Sequence, residues 1–219
     1  MTNGVSQWKA CARRPGYRLV LALLALEVAL SCGRLPKTNY YALRFPAPAP
    51  AHHSKTNFVL GVEHFRAPDV LRDDRIVYYE SPTQLNFYEY HRWSSDPPTL
   101  LSELTARALR QMQLFADVRM LPSREPVDYI LKGRVFHFEE MDEGSSAKVR
   151  VGLGLTLVRS RDHKVVWSAE RQVEQPIQTK GVAGVVEALN ASTEGLLGEV
   201  LPGLVAQVEH DLTQPGQSQ

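Results

Sequence analysis

"KVRVGLGLTLV", Lys148 to Val158, decides how the chain is read. Val149, Val151, Leu153, Leu155 and Leu157 fall on every second position, with Arg150, Gly152, Gly154 and Thr156 between them. A period of two puts one apolar set on one face of a β-strand, whereas a helix would scatter it around the circumference. Upstream, "VDYILKGRVFHFEE" (127–140) reads as a strand with aromatics on both faces, joined through an acidic Gly-Ser turn from Met141 to Ser146. Downstream, "SRDHK" turns the chain into "VVWSAERQV" (165–173), so the three segments form an antiparallel meander.

Outward from the meander, three more strand signals precede it. "NFVLGVEHF" alternates with Phe58, Leu60, Val62 and His64 on one face; "RIVYYE" and "QLNFYEY" follow, separated by Ser81-Pro82-Thr83. A helix then opens at Asp96, a suitable N-cap, with Pro97 in its first turn. Leu101, Leu104, Ala108 and Met112 recur on one helical face. A second helical pattern runs from Val182 to Leu212, where Pro202 is expected to kink or split it. The order β-β-β-β-α-(short β)-β-β-β-α defines a single α+β domain. It has a mostly antiparallel or mixed sheet and two main helices packed on one face.

The first 45 residues fix the compartment. Leu19 to Leu30 would span only about 18 Å as a helix, against roughly 30 Å of bilayer core, and Glu27 interrupts it. Lys9, Arg13, Arg14 and Arg18 precede it without an acid, and Ala29-Leu30-Ser31-Cys32 closes it. This is the order of a bacterial lipoprotein signal, in which Cys32 is acylated and becomes the mature N-terminus. A cleaved secretory signal and an uncleaved anchor are the alternatives. The domain plan is therefore signal peptide 1–31, lipid anchor and tether 32–39, folded domain 40–213 and disordered tail 214–219. Tyr40-Tyr41 belong either to a tether or to a first strand, with "PAPAPAHHS" as its exit; exposing two adjacent rings is costly, which favours the strand.

Loss of residues 1–31 removes Cys11 and leaves 188 residues with 21 basic against 23 acidic side chains. Cys32 then excludes an intrachain disulfide, and 188 residues suffice for a core without one. There is no basic run interleaved with aromatics, so nucleic acid is not a partner. Motifs for a nucleophile elbow, a zinc protease, a phosphate loop or a metal-spaced cysteine pair are absent, so neither an enzyme, a metal nor another cofactor is expected. His137 and Glu139 share a strand face, but no third partner stands at motif spacing. Gly152 and Gly154 sit inside a strand, where glycine permits close approach by a neighbouring element or a partner. The sequon at Asn190 is incidental in a bacterium. The cluster Tyr78, Tyr79, Phe87, Tyr88, Tyr90 and Trp93 cannot all face one core. Packing between elements is the first reading, and a partner surface the second.

These residues also carry a resemblance. Cys32 before Tyr40-Tyr41-Ala42-Leu43, "VEHFRAPDVLRDDRIVYYESPTQLNFYEYHRW", "DYILKGRVFHFEE", "LTLVRSRDHKVVW" and a valine- and alanine-rich last helix occur in order. The set resembles the ABC-type transport auxiliary lipoproteins, which include the paraquat-inducible-protein-C-like lipoproteins of Mce lipid-transport systems. Departures are Ala29 in the signal, Ala67-Pro68-Asp69 and Pro202. The resemblance implies a non-enzymatic accessory subunit working with an Mce-domain protein and an inner-membrane ABC permease and ATPase, with possible homo-oligomers. Gly33 lacks the aspartate associated with inner-membrane retention, which implies an outer-membrane address facing the periplasm. Candidate contact residues are Tyr78, Tyr88, Tyr90, Trp93, Gly152 and Gly154. A stand-alone periplasmic lipid- or small-molecule-binding lipoprotein is the alternative; it calls for an apolar cavity between sheet and terminal helix.

Overall fold

The computed structural model describes residues 36–44, 55–142, 144 and 147–213; the signal, Cys32, the 46–54 proline segment and the 214–219 tail lie outside the described residues. The chain divides into two compact units, Met1–Lys37 and Thr38–Gln219, and every element below belongs to the second. In chain order these are β1 (Asn39–Tyr41), β2 (Val59–Val62), β3 (Arg75–Ser81), β4 (Gln84–Trp93), α1 (Pro97–Gln111), β5 (Asp117–Met120), β6 (Tyr129–Asp142), β7 (Ala147–Arg159), β8 (Lys164–Pro176) and α2 (Val182–Thr213). A short 3₁₀ turn, Asp69–Arg72, precedes β3. This is the expected α+β order, and Tyr40-Tyr41 do form a strand.

The meander is the spine of the sheet. β6 pairs antiparallel with β7 from Tyr129↔Arg159 to Asp142↔Ala147, and β7 pairs antiparallel with β8. The other edge of β6 is shared: β2 lies parallel to its start (Leu60↔Tyr129), and β3 parallel to its end (Tyr78↔Glu140). β3 continues antiparallel to β4, β4 parallel to β1, and β2 parallel to β5, giving a mixed eight-stranded sheet. The alternation in β7 holds throughout, with Val149, Val151, Leu153, Leu155 and Leu157 all at or below 1 % exposure. They meet Val185, Leu189, Leu196, Leu197, Val200, Leu204 and Val208 of α2 in one core that also takes in Leu101 and Leu109 of α1. Asp96 caps α1 by accepting from the Thr99 N–H at 2.9 Å.

Three local expectations are corrected. β2 is only four residues long, and Leu60, Gly61 and Val62 are all buried: Leu60 and Val62 enter the core on one face, and Leu121 covers Gly61 on the other. His64 is exposed and Phe65 takes the core position, its ring lying where a Cβ on Gly133 would be, 2.2 Å away. β6 runs on through Met141 and Asp142, so the turn is shorter than the composition implied. Pro202 does not split α2, which is continuous from Val182 to Thr213; Pro202 and Gly198, whose carbonyl loses its donor, are both exposed, which leaves that carbonyl open to solvent. No helix among the described residues is long and apolar enough to cross a membrane.

Candidate interaction surface

An irregularity in β4 gathers the aromatic residues. Arg75 pairs with Arg92 and Val77 with Phe87, so Ile76 alone stands against Tyr88, Glu89, Tyr90 and His91. Such a bulge leaves residues unpaired and re-aims their side chains. Here it builds a ladder of rings. Tyr41 of β1 stacks on His91 at 5.8 Å, with a 2.8 Å hydrogen bond between Tyr41 Oη and His91 Nδ1. His91 meets Tyr88 edge-on at 5.9 Å, and Tyr88 lies 4.7 Å from Tyr78. Tyr88 donates to Glu140 Oε2 at 2.7 Å. Burial, then the nearby carboxylate, pushes the Tyr88 phenol well above its ordinary range. Burial likewise raises Glu140, only partly offset by the Tyr88 hydrogen bond. Tyr78 donates to Glu80, which also accepts from Gln84 and Asn86.

Of the sequence candidates, Tyr78 and Tyr88 are brought together, and Tyr90 points outward at 43 % exposure. Trp93 does not join them. It is 1 % exposed and packs on Phe138 at 5.2 Å, so its indole belongs to the core and presents no surface. Gly152 and Gly154 lie on the other side of the spine, where a second bulge in β6 between Val135 and His137 drapes side chains over them. A Cβ on Gly152 would meet the His137 imidazole at 3.1 Å, and one on Gly154 the Phe136 ring at 3.0 Å. The close approach that these glycines allow is therefore by the neighbouring strand's own side chains.

His137 and Glu139 do meet, at 2.9 Å. Glu139 is 3 % exposed, and its carboxylate also accepts from Arg150 Nε at 2.8 Å, Arg150 Nη2 at 2.7 Å and the Phe138 N–H at 2.6 Å. These donors occupy the oxygens, and the group serves to tie β6 to β7. Among the described residues no group of three His, Cys, Asp or Glu side chains could hold a metal ion.

Sequence reasoning missed an open cleft of about 440 Å³ lined by Arg72, Asp73, Asp74, Arg75, Arg92 and Asp96. Asp73 grips Arg75 through both oxygens at 3.0 and 2.7 Å, which holds the carboxyl down at about 2. Arg92 pairs with Asp74 at 2.6 Å, and the Arg75 guanidinium lies 4.2 Å above the Phe87 ring. The charged string "LRDDR" was the available signal, but each charge is spent on a neighbour.

A mixed eight-stranded sheet backed by two helices, with a short N-terminal strand at one edge, defines a single α+β domain. The model of the ABC-type transport auxiliary lipoprotein component family matches residues 41–200, and the chain belongs to that family. None of the curated proteins compared with it matches. Among solved structures, the protein XCC0632 from Xanthomonas campestris, described under the family model DUF330, superposes with a TM-score of 0.71 at 23 % identity, covering 80 % of this chain and 100 % of its own. An uncharacterized protein gives 0.57 at 19 % identity, covering 81 % and 99 %. Both show a shared fold. The family itself makes the chain an envelope lipoprotein that is auxiliary to ABC-type transport.

Proposed function

We propose that the protein is a non-enzymatic accessory subunit of a lipid-transport system, anchored through acylated Cys32 to the outer membrane and facing the periplasm. There it docks with an Mce-domain protein that works with an inner-membrane ABC permease and ATPase. The observation that carries this reading is the family match, which begins at Tyr41, inside the first strand and nine residues after a cysteine that ends a signal-like segment. Two or three acyl chains give stable anchoring, where one would be marginal.

The contact surface is the aromatic face of β3 and β4 around Tyr78 and Tyr88, since Gly152 and Gly154 are covered by His137 and Phe136. The packing of α2 favours this reading over a stand-alone lipid carrier. The space between sheet and terminal helix, where a carrier would hold its ligand, is filled by valine and leucine side chains at 5 % exposure or less. Catalysis is disfavoured by the donors already committed to Glu139.

The test is crosslinking and co-purification of the acylated protein with the Mce-domain protein, combined with lipid analysis of a deletion strain. Co-purification, with a disturbed outer-membrane lipid balance on deletion, is the expected result. No association together with an unchanged balance would sink the proposal.

A further inference from the structure

We propose that the β1–β4 edge is the face of the domain that rests on the bilayer, with Tyr40 and Tyr90 seated at the headgroup level of an anionic phospholipid surface. The proposal rests on the acylation of Cys32 proposed above and adds the orientation of the domain.

Seven residues lead from Cys32 to Asn39, at most about 25 Å even when fully extended. Beyond Asn39 the chain is fixed. β1 is in register with β4, from Asn39↔His91 to Tyr41↔Trp93. Leu43 is buried, and the Asn190 side chain clamps the Arg44 backbone, accepting from its N–H and donating to its C=O, both at 2.8 Å. The anchor therefore cannot pay out slack from this end of the domain, and β1 is the edge held closest to the lipid.

That edge carries the side chains such a location selects. Tyr40 is 67 % exposed and opposes Arg92 in the register, two residues along β4 from Tyr90, which is 43 % exposed. Tyrosine, apolar in its ring and polar at its tip, suits a membrane–water boundary. Tyr41 and His91, by contrast, are turned to each other. From Cys32 to Phe45 the chain carries Arg34, Lys37 and Arg44 and no acid. Glu89, beside Tyr90, faces Arg75 at 3.8 Å. Arg34 and Lys37, the charges between anchor and edge, are complementary to anionic lipid.

The experiment uses the full chain after processing, in which Cys32 is consumed by the anchor and an introduced cysteine is the free thiol. Tyr40→Cys, Tyr90→Cys and, on the far edge strand β8, Arg171→Cys each receive an environment-sensitive fluorophore. The proteins are reconstituted into phosphatidylethanolamine–phosphatidylglycerol vesicles and probed with iodide. On reconstitution, quenching at positions 40 and 90 should fall several-fold while position 171 is unchanged. Equal quenching at all three positions, on protein that floats with the vesicles, overturns the orientation and leaves acylation standing. Protection at 40 and 90 that is already present in detergent and grows with protein concentration assigns the face to a second copy of the chain and overturns it too. Protein that does not float, with Cys32 unmodified by mass, removes the anchor and this proposal with it.

Discussion

Tyr129, the first residue of β6, donates its hydroxyl to Asp211 Oδ2 in the last turn of α2 at 3.0 Å, and Arg159 of β7 reaches the same oxygen at 2.8 Å. Three elements distant in sequence are thus pinned at one carboxylate, with Arg159 and Asp211 only 14 % and 13 % exposed. Burial and the carboxylate push the Tyr129 phenol up to about 12. Tyr129→Phe should cost about 1 kcal/mol, and Asp211→Ala about 2–3 kcal/mol, because it leaves a half-buried guanidinium with only Asp162. Urea unfolding of both variants checks this. An Asp211→Ala protein no less stable than Tyr129→Phe would mean that α2 is not held at its end.

Glu140 gives a prediction with a definite sign. Its folded-state pKa is raised above 4.5 by burial, so between 4.5 and the raised value the native state binds more protons than the unfolded one. Stability therefore falls as pH rises through that window, and the loss persists at neutral pH. Glu140→Gln, which keeps an acceptor for the Tyr88 hydroxyl, should be more stable than the parent at pH 7 and indistinguishable from it in acid. Thermal melts across pH 3 to 8 read the difference; a parent more stable at neutral pH would contradict it.

Asp73 behaves in the opposite sense. The Arg75 hydrogen bonds lower its pKa from 3.8 to about 2, so its contribution is complete above the unfolded value and is lost as pH falls towards 2. Discounted for a carboxylate about one-third exposed, the pair is worth about 1 kcal/mol. Asp73→Asn should lose that much at pH 7 and nothing once the pH is well below 2. A deficit that does not change with pH would assign the effect to the Asp73 contact with the Arg75 backbone instead.

Gly133 is required by Phe65 rather than by its own backbone. A methyl group there would sit 2.2 to 2.4 Å from three atoms of a ring only 5 % exposed. Gly133→Ala should destabilise by about 1–3 kcal/mol, the range for overpacking. Combining it with Phe65→Leu should recover part of the loss, a non-additivity that a double-mutant cycle measures. Strict additivity would show that the two positions do not touch.

Pro202 offers a gain. Alanine at this exposed helical site restores a donor to the Gly198 carbonyl, at the expense of a less constrained unfolded chain. Pro202→Ala should raise the melting temperature by several degrees, at about 2–4 °C per kcal/mol for a domain of this size. A lower melting temperature would mean that the proline serves the fold.

The sequence by itself determined the elements and their order. A strict period of two in β7 and helical stripes in α1 and α2 are local signals, set by which face of each element must leave water. The candidate surface was legible only as composition: six aromatics on strands that cannot all face one core. Tertiary pairing decided the rest. β2 is buried on both faces because Leu121 covers Gly61 on one while Leu60 and Val62 enter the core on the other, and Trp93 is core because Phe138 meets it. Tyr88, Tyr90 and His91 form an arc without partners on β3, because that strand supplies one residue against four. Which strand lies beside which depends on contacts far apart in the chain. Periodicity records a residue's burial but not its partner, so the mixed sheet, the bulges in β4 and β6 and the joining of β1 to the domain were visible only once the chain had folded.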